Sequence, residues 1–237
     1  MKRVVFNQKG GVGKSSITAN LAAISASRGI KTLVVDLDPQ GNSSQYLLGK
    51  EGVGIQPDIK SFFEQTLTFQ LKPQDTESFI HATPFENLFL LPANPDLADL
   101  QNKLESKHKI YKLRDALDKL EDFGAVYIDT PPAFNFFTLS ALVAAQRCLI
   151  PFDCDDFARS ALYSLIENLQ EARVDHNELL EIEGIVVNQF QPRATLPQKI
   201  IDELCAEQLP VLQTKISSSV KMKESHNDAV PLIHMAP

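Results

Sequence analysis

The chain has 237 residues, of which 43% are hydrophobic and 22% charged, and its formal net charge is -7 at pH 7. This length and composition predict one α/β domain over residues 1–237, since no linker rich in Pro, Gly or Ser divides it. An acidic balance excludes a general attraction to nucleic acid or anionic lipid, so any such binding needs a local basic patch. The N-terminus has no apolar signal segment, and no apolar run reaches the roughly 18 residues of a membrane span, which predicts a soluble cytoplasmic protein.

The first predicted elements are a strand, a glycine-rich loop and a helix. The apolar residues 4–6 lead into the loop, and helix-compatible residues continue to Arg28, with Gly29 as the stop. Within this helix Ile17, Leu21 and Ile24 recur at helical spacing. We therefore expect that face to pack on a sheet.

The glycine-rich loop has the composition of a phosphate site. Glycines let the backbone curl so that successive N–H groups point at phosphate oxygens, and the helix N-terminus adds a favourable dipole. Lys14 supplies a cation and Ser15 a hydroxyl suited to Mg²⁺, as in a Walker A motif, although Gln8 stands where the strict motif has Gly and Lys9 opens the glycine run. The order of strand, loop and helix favours this site over a simple tight turn. The residues predicted to bind nucleotide here are Gly10, Gly11, Val12, Gly13, Lys14, Ser15 and Ser16.

Further along the chain, short apolar runs alternate with helical patterns. The first of these runs, residues 32–35, is continuously apolar or β-branched, as expected for a strand covered on both faces. The alternation predicts an α/β fold with a doubly wound, mostly parallel sheet and helices on both faces. Ligands of such sheets lie beyond the carboxyl ends of the strands, where Gln8, Asp38, Asp129 and Asn188 fall. The later runs are residues 88–91, 125–128, 148–151 and 185–187.

Carboxylates follow two of the predicted strands. Asp36 and Asp38 end one strand, and Asp129 ends another in the run Asp129-Thr130-Pro131-Pro132. An isolated Asp after a strand is commonly a turn former or a helix cap. Two such strand ends beside a phosphate loop instead indicate a site that binds a metal ion and positions water.

A resemblance to the deviant Walker A box of the ParA/MinD family of P-loop ATPases is carried by the run Gln8-Lys9-Gly10-Gly11-Val12-Gly13-Lys14-Ser15. Residues 36–42 are similar to the family's switch I, and residues 128–132 to its Walker B and switch II. Later segments, among them residues 138–145 and 150–151, also resemble the family, so the likeness covers most of the chain. The resemblance implies ATP and Mg²⁺ as cofactors, and slow hydrolysis that depends on positioning.

The same resemblance implies a role for individual residues. Lys9 would reach across an ATP-dependent homodimer to the partner's nucleotide, whereas Lys14 would bind phosphate in its own subunit. Asp38 would orient or activate the attacking water, and Asp129 would hold Mg²⁺ through water. Asn188 lies where the family often contacts adenine, although a strand-end turn accounts for it equally well. The implied catalytic residues are Lys9, Lys14 and Asp38, and the implied metal site comprises Ser15, Asp38 and Asp129.

Members of this family without a helix-turn-helix region ahead of the P-loop, as here, typically bind DNA non-specifically as ATP dimers. Residues 214–224 resemble the family's C-terminal basic element, but Ser217 and Ser218 stand where relatives usually have Pro-Arg, which weakens the DNA prediction. Solvated surface lysines are the alternative. The candidate DNA-binding residues are Arg193, Lys215, Lys221 and Lys223. A second basic cluster, more simply a solvated face of one or two amphipathic helices, comprises Lys103, Lys107, Lys109, Lys112 and Arg114.

The sequence thus predicts a ParA-type switch ATPase that partitions or positions a plasmid, a chromosome region or a protein cargo. It would be nucleoid-associated and stimulated by a ParB-like or cargo-adaptor partner. One alternative is a MinD-like membrane-associated ATPase, which needs a basic and apolar C-terminal helix. Residues 231–237 show none, but relatives commonly continue into a final helix, which leaves open whether the gene product extends further.

The remaining alternative is a metabolic P-loop enzyme. An iron–sulfur reductase needs paired cysteines, and the spacing of Cys148, Cys154 and Cys205 does not match them; it predicts free thiols, buried or half-buried. An amide-forming ligase would need its own substrate pocket.

Overall fold

The computed structural model describes residues 1–154 and 158–235. Its strands are β1 (Lys2–Val5), β2 (Thr32–Asp36), β3 (His81–Ala82), β4 (Leu88–Leu91), β5 (Ala125–Asp129), β6 (Arg147–Asp153) and β7 (Glu181–Asn188). They form one sheet in the order β3-β4-β2-β5-β1-β6-β7, and every pairing is parallel except that of β3 with β4. The predicted mostly parallel sheet is confirmed, while β3 was missed because two residues are too few to form a pattern.

Helices follow most of the strands. The α-helices among the described residues are α1 (Lys14–Ser27), α2 (Asn42–Leu48), α3 (Ile59–Leu67), α4 (Gln101–Ser106), α5 (Lys112–Leu117), α6 (Phe136–Ala144), α7 (Ala158–His176), α8 (Thr195–Ala206), α9 (Val220–Asp228) and α10 (Leu232–Met235). Short 3-10 helices occupy Lys50–Gly52, Thr76–Phe79 and Pro95–Leu100. None of the helices in these described segments is both long and apolar enough to span a bilayer.

Strand side chains alternate between two helical layers. Leu33 and Val35 of β2 belong to the large cluster that includes residues of α6 and α7, whereas Val34 packs with residues of α1 and α2. Alternation of this kind buries both faces of the sheet. The predicted arrangement of helices on both faces is therefore confirmed.

Helix α1 packs on the sheet mainly through alanines. Its fully buried residues include Ala19, Ala22, Ala23 and Ala26, together with Ile17. Leu21 is partly buried and packs against the core, so the predicted packing face is confirmed at Ile17 and Leu21, while Ile24 is only partly buried. Small side chains let a helix lie close to the strands, and a search for large apolar residues overlooks them.

The carboxyl ends of the central strands bring distant residues together. The register of β2 and β5 sets Asp36 beside Asp129, and that of β1 and β5 sets Val5 beside Asp129. Just beyond the strands, the Leu37 N–H donates to the carbonyl of Asp129 at 3.0 Å. The phosphate loop after β1 and the carboxylates after β2 and β5 consequently share one edge of the sheet.

The three cysteines, all within the described residues, form no disulfide and lie in different environments. Cys148 is buried in β6, and burial raises the pKa of its thiol, while Cys154 is partly buried. Cys205 is exposed, contrary to the expectation of a buried or half-buried side chain, because it lies on the outer face of α8.

Candidate functional site

The loop between β1 and α1 is shaped by glycines in the left-handed region. Gly11 has φ 75° and Gly13, which caps α1, has φ 91°. A Cβ at Gly13 would lie 2.3 Å from Nδ2 of Asn188, so no larger residue fits there. Since α1 begins at Lys14, its first-turn N–H groups and the positive end of its dipole lie at this loop.

Two residues at the end of β7 hold the phosphate loop from outside. Asn188 donates from Nδ2 to the carbonyl of Val12, and Gln189 donates from Nε2 to the carbonyl of Gly11, each at 2.8 Å. Asn188 is the last residue of β7 rather than a residue after it, and its amide supports the loop. Sequence reasoning missed Gln189, because a glutamine after a strand carries no recognisable signal.

The two lysines of the loop occupy different environments. Lys14 is buried, with 7% of its surface exposed, and its Nζ donates to the carbonyl of Lys9 at 3.2 Å. Burial lowers the pKa of Lys14, although the charges of Asp129 and Asp38 oppose this change. Lys9 is more exposed, and its Nζ lies 3.9 Å from a carboxylate oxygen of Asp153. Lys14 thus faces the site, whereas Lys9 lies near the surface.

Asp129 is fully buried and hydrogen-bonded at both oxygens. Its Oδ2 accepts from the Ser43 hydroxyl at 2.6 Å, its Oδ1 accepts from the Thr130 N–H at 3.1 Å, and Ser15 also hydrogen-bonds to the carboxylate. Burial raises the pKa of Asp129 to about 6, even though the bonds from Ser15 and Ser43 act to lower it. The carboxylate is therefore held in place at a free-energy cost. The contact between Asp129 and Ser15 brings together two of the three residues that were predicted to hold Mg²⁺.

The two aspartates after β2 have separate surroundings. Asp36 is fully buried and accepts hydrogen bonds from both the N–H and the hydroxyl of Ser44 at 2.8 Å. These bonds hold the first turn of α2 against the end of β2. Burial raises the pKa of Asp36 well above its ordinary value, and the charge of Asp129 adds to this effect. Asp38 accepts from the Gln40 N–H at 3.0 Å, and burial raises its pKa too. Of the two, Asp38 lines the cavity described next, as its predicted role requires.

Two adjoining cavities lie over the phosphate loop. The first, of about 400 Å³, is lined by Gly10, Gly11, Gly13, Lys14, Ser15, Ser16, Asp38, Gln40, Asn42, Pro132 and His226. The second, of about 460 Å³, is lined by Gly11, Gly13, Ser16, Ile17, Asn188, Gln189, residues 216–219, Met222, Lys223, His226 and Asn227. They share Gly11, Gly13, Ser16 and His226, so a single extended ligand can occupy both. The charged first cavity suits phosphates, and the second suits the rest of a nucleotide.

The donor atoms at the phosphate end fit Mg²⁺. Ser15, Asp38 and Asp129 offer hard oxygen ligands. Burial raises the pKa of both Asp38 and Asp129, and the charge of Asp38 adds to this effect at Asp129, so a divalent cation beside them would stabilise their ionised forms. No three His, Cys, Asp or Glu side chains within residues 1–154 and 158–235 are grouped to hold a metal by themselves.

The candidate DNA-binding residues lie in different settings. Arg193 and Lys221 are exposed. Lys215 donates from Nζ to the side-chain carbonyl of Gln198 at 2.8 Å, and Lys223 lines the second cavity. The other basic cluster is carried by α4, α5 and their connection, as the amphipathic pattern indicated. DNA contact by any of these side chains remains a prediction.

His226 is a further site residue that the sequence did not indicate. It lies on α9, lines both cavities and contacts the Ser16 hydroxyl. A lone histidine on a polar helix matches no motif, so only the fold brings it to the loop.

Comparisons with known proteins agree with this geometry. A family model described as an AAA domain matches residues 2–182. The chromosome partitioning protein ParA of Myxococcus xanthus is 33% identical over 97% of this chain and 79% of its own. The sporulation initiation inhibitor protein Soj of Bacillus subtilis is 31% identical over 98% of this chain and 90% of its own. The crystal structure of cobyrinic acid a,c-diamide synthase from Mycobacterium smegmatis with bound ADP and magnesium is similar at a TM-score of 0.82 and 28% identity, covering 96% of this chain and 91% of its own.

Proposed function

This chain belongs to the ParA/Soj family of partition ATPases, and from that premise we propose that it is a switch that binds and hydrolyses ATP and dimerises around it. As the dimer it binds DNA without sequence preference and partitions or positions a plasmid, a chromosome region or a protein cargo. One observation carries the proposal. The cavity of about 400 Å³ over the glycine loop is lined by Lys14, Ser15 and Asp38, with Asp129 hydrogen-bonded to Ser15 behind them.

Each of these side chains has a task in phosphoryl transfer to water. The Lys14 ammonium binds phosphate oxygens within its own subunit. Ser15, Asp38 and Asp129 are the residues that would hold Mg²⁺, directly or through water, and bound Mg²⁺ supplies positive charge to the phosphates. Asp38 orients the attacking water, and because burial raises its pKa it accepts a proton more readily than an ordinary carboxylate. Asp38 is a carboxylate that lines the cavity and is not a strong base, which fits slow basal turnover.

Lys9 gives the switch its dependence on a second subunit. It lies on the same loop as Lys14, but near the surface and beside Asp153. From there its ammonium reaches the phosphates of the partner's nucleotide, much as an arginine finger does in GTPases. ATP binding in both subunits then builds the interface.

The test of this switch compares two lysine substitutions. Lys9→Ala should bind ATP nearly as well as the wild type but weaken the ATP-dependent dimer at least about 30-fold, since a charge contact across the interface is lost. Lys14→Ala should lose ATP binding itself. Light scattering measures the dimer, and calorimetry measures ATP binding. Lys72→Ala removes an exposed lysine of a distant loop and serves as the control. An unchanged dimer in Lys9→Ala would contradict the proposal.

DNA binding, stimulation by a ParB-like or cargo-adaptor partner, and the resulting nucleoid association complete the proposed cycle. Arg193 and Lys221 support the DNA step because both are exposed cations able to replace phosphate counterions. The partner would raise the slow basal hydrolysis and so release the dimer from DNA.

A second candidate function is metabolic. The similarity to the M. smegmatis synthase, solved with ADP and magnesium, favours a P-loop enzyme that forms amides. The partition relatives are more similar in sequence, at 33% and 31% identity against 28%. ATP turnover stimulated by cobyrinic acid, and not by DNA with a partner protein, would favour the metabolic function.

A further inference from the structure

We infer that His226 is a positioning residue of the nucleotide site, which holds the Ser16 hydroxyl so that its proton is directed at a phosphate of the bound nucleotide. This inference rests on the proposed function, because it takes the two joined cavities as the nucleotide site. His226 lies on α9, 210 residues after Ser16 in sequence, so the fold and not the phosphate-loop motif makes the contact.

His226 lies where the two cavities of the nucleotide site meet. Its Nε2 lies 2.5 Å from the Ser16 Oγ, and both residues line both cavities. A nucleotide that fills both cavities must pass its α-phosphate and sugar through their junction. Ser16 lies in the first turn of α1, where free N–H groups and the helix dipole already favour phosphate. Its hydroxyl is thus well placed to add one more donor.

The protonation of His226 decides what Ser16 can do. Burial lowers the pKa of the imidazole, so the ring is neutral at neutral pH, with one nitrogen as a donor and the other as an acceptor. In the tautomer with the proton on Nε2, the ring donates to the Ser16 oxygen. The Ser16 hydroxyl proton then remains available for a phosphate oxygen.

Tyr46 holds the His226 ring in place. The two rings stack with their centroids 4.1 Å apart and an angle of 18° between their planes. The Tyr46 hydroxyl hydrogen-bonds to the amide of Asn20 at 2.9 Å and to the hydroxyl of Ser225. The Asn20 side-chain oxygen in turn accepts from the Leu232 N–H at 2.8 Å. Side chains of α1, α2 and α9 and the start of α10 therefore fix the ring against the phosphate loop.

Substitutions at His226 separate hydrogen bonding from stacking. His226→Phe keeps a ring over Tyr46 but loses both nitrogens, whereas His226→Gln loses the stack and keeps a polar group at the reach of Nε2. Ser16→Ala removes the other partner of the contact. His234→Phe is the matched control, because His234 stacks on Phe85 at 4.8 Å and lines neither cavity.

The measurement is the affinity for ATP and for ADP, by titration calorimetry on the full chain. His226→Phe should weaken both about tenfold or more, as expected for a lost hydrogen bond to a charged group. His226→Gln should stay within about threefold of the wild type, and His234→Phe should not change. The double variant Ser16→Ala/His226→Phe should bind about as weakly as Ser16→Ala alone, because the two substitutions remove one shared contact.

Three results would overturn the inference: wild-type affinity in His226→Phe, a double variant whose loss is the product of the single losses, or a His226→Gln as weak as His226→Phe. Thermal melting without nucleotide checks that each variant folds. If His226→Phe does not fold, His226→Asn takes its place, since its shorter amide does not reach Ser16. A wild type that binds neither nucleotide would instead refute the proposed function.

Discussion

Replacing Asp129 by Asn is expected to stabilise the nucleotide-free protein while it removes the Mg²⁺-dependent chemistry. Asp129 is fully buried, and burial raises its pKa from 3.8 to about 6. At neutral pH this ionised carboxylate therefore destabilises the folded state, by up to about 3 kcal/mol. Asparagine has the same shape and no charge, so the cost disappears.

The hydrogen bonds around position 129 can be kept in this variant. The Thr130 N–H still has an oxygen to donate to, and the hydroxyls of Ser15 and Ser43 can turn to accept from the new amide. Less favourable geometry is expected to offset part of the gain. The expected net stabilisation at pH 7.5 is about 1–3 kcal/mol, or a rise in Tm of roughly 2–4 °C per kcal/mol.

Because the pKa of Asp129 is raised in the folded state, the free energy of unfolding depends on pH. Between pH 3.8 and about 6, the folded wild type binds the Asp129 proton more tightly than the unfolded chain does. The free energy of unfolding therefore falls as pH rises through this window and stays lower above it. Asp129→Asn removes this contribution, so its advantage over the wild type should be larger at pH 7.5 than at pH 4.5.

Urea unfolding of the nucleotide-free proteins at both pH values measures the difference. The control is Asp122→Asn, which neutralises an exposed carboxylate 3.6 Å from the Lys31 ammonium and should change stability by less than about 0.5 kcal/mol. An Asp129→Asn variant less stable than the wild type at pH 7.5, or with the same pH slope, would refute the reasoning. Retained Mg²⁺-dependent ATP turnover would refute the proposed metal role separately.

Other substitutions test the role of Asp38 in hydrolysis, the conformation of the phosphate loop and the proposed DNA-binding surface. Asp38→Ala should keep an ATP-dependent dimer but lose hydrolysis in a phosphate-release assay, and retained turnover would contradict the assignment. Gly13→Ala sets a methyl group 2.3 Å from Nδ2 of Asn188 at φ 91°, so calorimetry should show at least about a tenfold loss of ATP affinity; unchanged affinity would mean that the loop adapts. Lys221→Glu should weaken DNA binding by the ATP-loaded protein and reduce its salt dependence more than Lys72→Glu does. Equal effects would mean that net charge alone matters.

Features carried by short local patterns could be predicted from the sequence. The parallel strands follow from continuous apolar runs, and the phosphate loop follows from glycines at fixed offsets from Lys14 and Ser15. Strand ends then lead to Asp38 and Asp129, because a parallel sheet collects its ligand residues at one edge. Each of these inferences needs only neighbours in the chain and one rule of topology.

Features made by long-range contacts could not be predicted in this way. The packing of α1 through Ala19, Ala22, Ala23 and Ala26 depends on how closely the helix approaches the sheet, which the spacing of its large apolar residues does not reveal. Gln189 and His226 contribute to the site only because β7 and α9 pass the phosphate loop. The structural role of Asp36, whose carboxylate accepts hydrogen bonds from the N–H and hydroxyl of Ser44, likewise depends on how α2 packs against the end of β2.

The placement of β1 has a consequence for the order in which this protein is made. Strand β1 lies between β5 and β6, which are synthesised more than a hundred residues later. The phosphate loop thus leaves the ribosome before either of its neighbouring strands and well before His226. A nascent chain that still lacks these elements would hold nucleotide poorly.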